Sequence, residues 1–114
     1  MPGKDENGNP EPSEGKDYYC DANMVGGQWC PEFDIMEANQ YAWHSTPHKC
    51  DDPTDKGHYN NCDRGGSCFQ IAKQKLDGIY GPGTQYPINT LQPFHVKISF
   101  KETAHFKIEM TQGG

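Results

Sequence analysis

The chain has 114 residues, 32% of them hydrophobic, with 13 Gly, 9 Pro and a formal charge of -6 at pH 7. A chain of this size makes one domain at most, with a thin apolar interior, and its acidic balance argues against a nucleic-acid or anionic-membrane partner, since either selects a basic face. No run of about 18 apolar residues is present to span a bilayer, so a neutral partner such as a sugar fits better.

Five cysteines point to an oxidising compartment and leave one sulfur without an intrachain partner. The opening Met1-Pro2-Gly3-Lys4-Asp5 has no apolar stretch that could serve as a secretory signal. Both features are expected of an internal fragment of a longer secreted protein. The few aliphatic residues and many turn formers predict a loop-rich, mainly β structure.

Residues 1–17, rich in Pro, Gly, Asn and charge, read as an exposed loop. In residues 18–43, Tyr18 and Tyr19 lead into Cys20, and Val25-Gly26-Gly27-Gln28 makes a tight turn before Trp29 and Cys30. This spacing suits a hairpin-like loop closed by a Cys20–Cys30 bridge. Residues 31–43 then read as a strand, with Phe33 and Ile35 on one face and Glu32 and Asp34 on the other.

Residues 44–79 form a loop region. Its irregular part, 44–70, holds Cys50, Cys62 and Cys68 among repeated Asp, Asn and Gly, and closure by Cys50–Cys62 is expected, with Cys68 left over. A short helix over 69–77 carries only a weak pattern. Tyr80-Gly81-Pro82-Gly83 is turn chemistry that opens residues 80–114. Two strands follow, 94–101 and 105–111, in which Val96, Ile98 and Phe100, and then Phe106, Ile108 and Met110, alternate with polar residues. Glu102-Thr103-Ala104 would join them as an antiparallel hairpin, one sheet piece of a β-sandwich.

Glycoside hydrolysis needs two carboxyl groups, one to protonate the leaving oxygen and one to attack the sugar or activate water. Glu32 and Asp34 project from one strand face, about 6 to 7 Å apart along the strand. Strict alternation puts Glu37 on the opposite face, and five residues of extended chain span about 16 Å, against the roughly 5 to 5.5 Å of a retaining pair. A functional reading therefore requires a β-bulge near Ile35-Met36 to return Glu37 to the acidic face. Acids on a solvated strand face also simply keep a protein soluble, so the pattern alone is weak. A zinc site drawn from His44, His48, His58, Cys50, Cys62 and Cys68 lacks the close cysteine pair of structural zinc, so no metal and no cofactor are expected.

The setting of the acids is more specific. Tyr19-Cys20-Asp21-Ala22, then Cys30-Pro31-Glu32-Phe33-Asp34-Ile35-Met36-Glu37-Ala38-Asn39, then Thr46-Pro47-His48-Lys49-Cys50 and Tyr80-Gly81-Pro82-Gly83, in that order, resemble glycoside hydrolase family 7, the cellobiohydrolases and endoglucanases. The resemblance covers a minority of that family's catalytic domain. It implies an all-β fold, a curved antiparallel β-sandwich of the jelly-roll, concanavalin-like kind, present here as a partial domain. It further implies a secreted enzyme that cleaves β-1,4-glucan with retention. Glu32 matches the nucleophile, Glu37 the acid/base, Asp34 the carboxyl between them, and His48 a histidine near the acid/base. Tyr41 and Trp43, as aromatic platforms, and Asn39 are candidate sugar contacts, although such aromatics are more often core.

The chain also departs from the family pattern. The stretch between Cys20 and Cys30 is short where the cellobiohydrolases carry a long excursion, and a second cysteine pair that would fall near Met24 and Trp29 is absent. An open cleft is the expectation. The family's arginine before Cys62 is not found, and Arg64 lies on the other side of it. A non-catalytic, lectin-like sugar binder and a β-1,3-glucanase on the same sandwich are the alternative readings.

Overall fold

The computed structural model describes residues 3–12, 17–66, 77–102 and 105–113. Among these, every regular element is a strand: β1 (Glu32–Ala38), β2 (Trp43–His48), β3 (Tyr80–Gly81), β4 (Ile88–Asn89), β5 (His95–Lys101) and β6 (His105–Thr111). They pair as three two-stranded sheets, β1-β2, β3-β4 and β5-β6. The helix expected over 69–77 lies outside the described residues except for Asp77, and so do Cys68 and two of the three residues connecting β5 to β6.

The chain divides into two compact units, residues 1–37 with 44–71, and residues 38–43 with 72–114. In the first, turn chemistry and covalent bonds do most of the structural work. Asp5 accepts hydrogen bonds from the main-chain N–H groups of Asn7 and Asn9, and Asp21 does the same for Asn23 and Val25. These short side-chain caps replace the ladder bonds that irregular backbone lacks. The Cys20–Cys30 and Cys50–Cys62 disulfides are both present. Each closes a loop whose ends also pair through the main chain, Cys30 N–H to Asp21 O and Asp51 N–H to Asn61 O, both 3.0 Å.

The second unit is held by an apolar core. Trp43, Tyr80 and Ile88 are buried, with Phe94, Ile108 and Met110 packed against them. The three aromatic rings meet edge to face, with centroids 6.2 Å apart for Trp43–Tyr80, 6.5 Å for Trp43–Phe94 and 5.8 Å for Tyr80–Phe94. That geometry adds about 0.5–1.5 kcal/mol per pair to the burial of the rings. β5 and β6 pair antiparallel in the register Val96↔Met110, Ile98↔Ile108 and Phe100↔Phe106, so the alternating apolar residues share one face of the hairpin.

The structure differs from the sequence reading in several places, and the strand expected over 31–43 ends at Ala38. β2 lies in the stretch expected to be irregular; its Trp-His-Ser-Thr-Pro-His sequence carries a proline and little apolar alternation, and neither feature announces a strand. Tyr80 and Gly81, read as turn, form β3 and pair parallel with Ile88 and Asn89. Gly81 leaves no room for a Cβ against the Tyr86 ring, so the glycine there serves a close approach within the loop.

Candidate active site

Three of the predicted residues meet in the first unit. Donor atoms of Glu32, Asp34 and His48 all lie within 4.8 Å of one another. β1 supplies the two acids from one strand face and β2 supplies the histidine, a residue only 7% exposed. Glu37, farther along β1, is exposed and lies outside that group. Burial along β1 does not alternate, because Ile35, Met36 and Glu37 are all exposed in succession. Opposite them the buried Ser45 hydroxyl donates to the Ile35 carbonyl at 2.6 Å.

The histidine is pinned at both nitrogens. Nδ1 lies 2.6 Å from the Asp63 carbonyl oxygen, which can only accept, so Nδ1 carries a hydrogen. Nε2 lies 2.9 Å from Asp34 Oδ2, and one proton must therefore sit between them. The pair is an imidazolium with a carboxylate or an imidazole with a carboxylic acid. Burial pulls the His48 pKa down, but the hydrogen bond to Asp63 and the Asp34 and Glu32 carboxylates outweigh it, and the net direction is up. The ion pair is the favoured form. Gly66 packs on the same ring: a Cβ there would collide with Thr46 Cγ2 and come within 3.2 Å of His48 Cε1, and its φ of +66° is left-handed.

Glu32 is held from the other side. Its Oε2 accepts the Ala22 N–H at 3.0 Å. Its pKa is raised, first by burial, with the Ala22 N–H acting against the shift and Asp34 and Asp21 adding to it. Tyr19 is also raised, chiefly by its hydrogen bond to Asp21. Sequence reasoning missed this outer ring of Ala22, Asp21, Tyr19 and Asp63. Three of the four lie within the Tyr19-Cys20-Asp21-Ala22 motif, which was the available signal; Asp63 contributes a main-chain carbonyl, for which a sequence carries none.

The candidate sugar contacts belong to the second unit. Trp43 is 1% exposed and forms the centre of its core. Asn39 uses its side-chain oxygen to accept the N–H groups of Tyr41 and Ala42, which shapes the connection between β1 and β2. Tyr41 is 65% exposed and lines a hollow of about 250 Å³ with Trp43, Asp77, Tyr80 and Tyr86.

Residues 7–112 match the family described as glycosyl hydrolase family 7, and the chain belongs to it. Endoglucanase 1 of Humicola insolens is 32% identical over 80% of this chain and 28% of its own length. Endoglucanase type C of Fusarium oxysporum is 32% identical over 72% of this chain and 24% of its own. Among solved structures, a point mutant of Humicola insolens endocellulase Cel7B superposes with a TM-score of 0.66 at 25% identity, over 89% of this chain and 33% of that one. The native Humicola insolens endocellulase EGI superposes with a TM-score of 0.61 at 27% identity, over 85% and 31%. This chain thus spans about a quarter to a third of the relatives it matches. The fold class is the antiparallel β-sandwich jelly roll of that family, of which the chain carries a part.

Proposed function

We propose that the chain carries the catalytic carboxylates of a secreted, retaining β-1,4-glucanase. Glu32 is the nucleophile that forms the glycosyl-enzyme, Glu37 is the acid/base, Asp34 tunes their protonation, and His48 fixes Asp34. The observation that carries this reading is the convergence of Glu32, Asp34 and His48 within a family 7 chain. Asp34, 2.9 Å from His48 Nε2, contributes to the raised pKa of the neighbouring Glu32, which is the coupling expected of clustered catalytic carboxyls. Return of Glu37 to the acidic face needs the chain to bulge near Ile35. The Ser45 hydroxyl on the Ile35 carbonyl, which occupies a ladder acceptor with a side chain, supports that.

No cofactor enters the mechanism. Within the second unit, Tyr41 offers an exposed ring for stacking on a pyranose, with Asn39 shaping its turn and Trp43 in the core. The two disulfides fit a secreted protein.

Glu32→Gln tests the assignment, since glutamine keeps an acceptor for the Ala22 N–H and loses the nucleophile. On cello-oligosaccharide the variant should lose hydrolysis while keeping sugar affinity, and the wild-type chain should release the β-anomer first, read by NMR. Equal turnover in both proteins would remove Glu32 from the chemistry. Sugar binding with no turnover in either would favour the lectin-like reading.

A further inference from the structure

Glu32, Asp34 and His48 meet in a manner that hydrolysis alone does not require: they present two carboxylates and an imidazole nitrogen to one point. His48 cannot turn away from that point. Its Nδ1 hydrogen is committed to the Asp63 carbonyl, and Gly66 packs against the ring with no space for a Cβ. A histidine whose second nitrogen is tied to a backbone carbonyl has the tautomer and aim of a metal ligand. Glu32 and Asp34 are both part-buried, so a cation there meets less competition from water. Ala22 N–H binds Oε2 of Glu32, and the Glu32 carboxyl also hydrogen-bonds Asp34, so both acids are already aimed at the shared point.

We propose that Glu32, Asp34 and His48 form a binding site for a divalent transition-metal ion of the zinc class, and that this ion and β-glucan exclude one another there. Imidazole with two carboxylates suits zinc, copper or cobalt; magnesium and calcium take oxygen ligands alone. Bonds of about 2.0–2.2 Å set tetrahedral donors roughly 3.3–3.6 Å apart, so a group that spans up to 4.8 Å must draw in by about 1 Å to take the ion. On binding, the protons that join Asp34 to His48 Nε2 and to Glu32 leave to solvent, and the freed lone pairs take the ion. The metal is an inhibitor here, because it occupies the carboxylates that turnover needs. Only the exclusion of glucan rests on the proposed function.

Cobalt(II) alone is the probe, added to a Cys68→Ser chain so that the fifth cysteine supplies no ligand. The visible spectrum should report one site, and amide NMR should show paramagnetic broadening centred on Glu32, Asp34 and His48. Glu32→Gln, which preserves the Ala22 contact, and His48→Gln should each weaken cobalt binding by about tenfold or more. His44→Gln, on the exposed side of the same strand, should leave it unchanged. Unaltered affinity in Glu32→Gln, or broadening centred on His44 or His58, overturns the site. A cello-oligosaccharide is then titrated into the metal-free and the cobalt-loaded chain. Weaker sugar binding to the loaded chain supports exclusion, and equal binding to both overturns it. If the metal-free chain binds no sugar, the glucan reading and the exclusion fall together, while the metal site stands on the cobalt data.

Discussion

The two units solve the problem of a thin interior in different ways. The first buries polar and small residues, Asp21, Ala22, Ser45, Thr46 and His48, beside two disulfides. The second buries Trp43, Tyr80 and Ile88. Polar residues pack only when each donor and acceptor is met, and the part-buried bonds of Asp21, Ser45 and His48 show how that is done. The result is a unit whose interior is already arranged for chemistry. The aromatic core has no comparable chemistry to offer, and its contribution is to hold the β5-β6 hairpin and the turn between β1 and β2.

Substitution at the two cores should separate them. Trp43→Ala should cost about 3–5 kcal/mol, and the amide signals of residues 77–113 should lose dispersion before those around Cys20–Cys30. Replacing Cys50 and Cys62 by serine should cost about 2–4 kcal/mol and reverse that order, with the loop from 50 to 62 lost first. If both changes melted the same amides together, the division into two kinds of core would be wrong.

The pH dependence should differ as well. Glu32 and His48 both have folded pKa values above their ordinary ones. For each, the stabilising contribution is fully present below the ordinary value, about 4.3 for Glu and 6.5 for His, and is lost as pH rises through the raised folded value. The first unit should therefore be most protected from amide hydrogen exchange in mild acid and lose protection in two steps towards alkaline pH. In the second unit the phenol of Tyr80 is raised by burial, which places its corresponding loss above about pH 10. The smallest effect is expected at the exposed Lys107–Glu109 pair, 2.8 Å apart. Lys107→Ala should leave the melting temperature unchanged within error, since exposed ion pairs are screened by solvent.

The sequence disclosed these regions unequally. The β5-β6 hairpin was legible because Val96, Ile98 and Phe100 alternate strictly with polar residues, and observed pairing places them opposite Met110, Ile108 and Phe106. The Cys20–Cys30 bridge was legible from loop length and turn residues, and Cys50–Cys62 from the need to staple an irregular stretch. The Glu32–Asp34 face followed from period two, but the strand that completes it did not: β2 is built around Pro47 and buried polar groups, so its hydrophobic pattern is nearly silent. Trp43 could be read as platform or core, and its place in the core depends on Tyr80 and Phe94, about forty to fifty residues away in the chain. Contacts made by backbone atoms, such as Asp63 O and Ala22 N–H, leave no mark on residue identity.

One consequence of the bridges concerns timing. Ala22 lies two residues after Cys20, and Asp63 directly follows Cys62, so each disulfide ends beside a backbone group that grips one member of the site. The reduced chain is therefore expected to keep all of its acids and its histidine with the wiring between them loosened, which amide spectra recorded before and after reduction would show. Oxidation is thus expected to act as the last assembly instruction for the site, fixing where the gripping backbone groups sit.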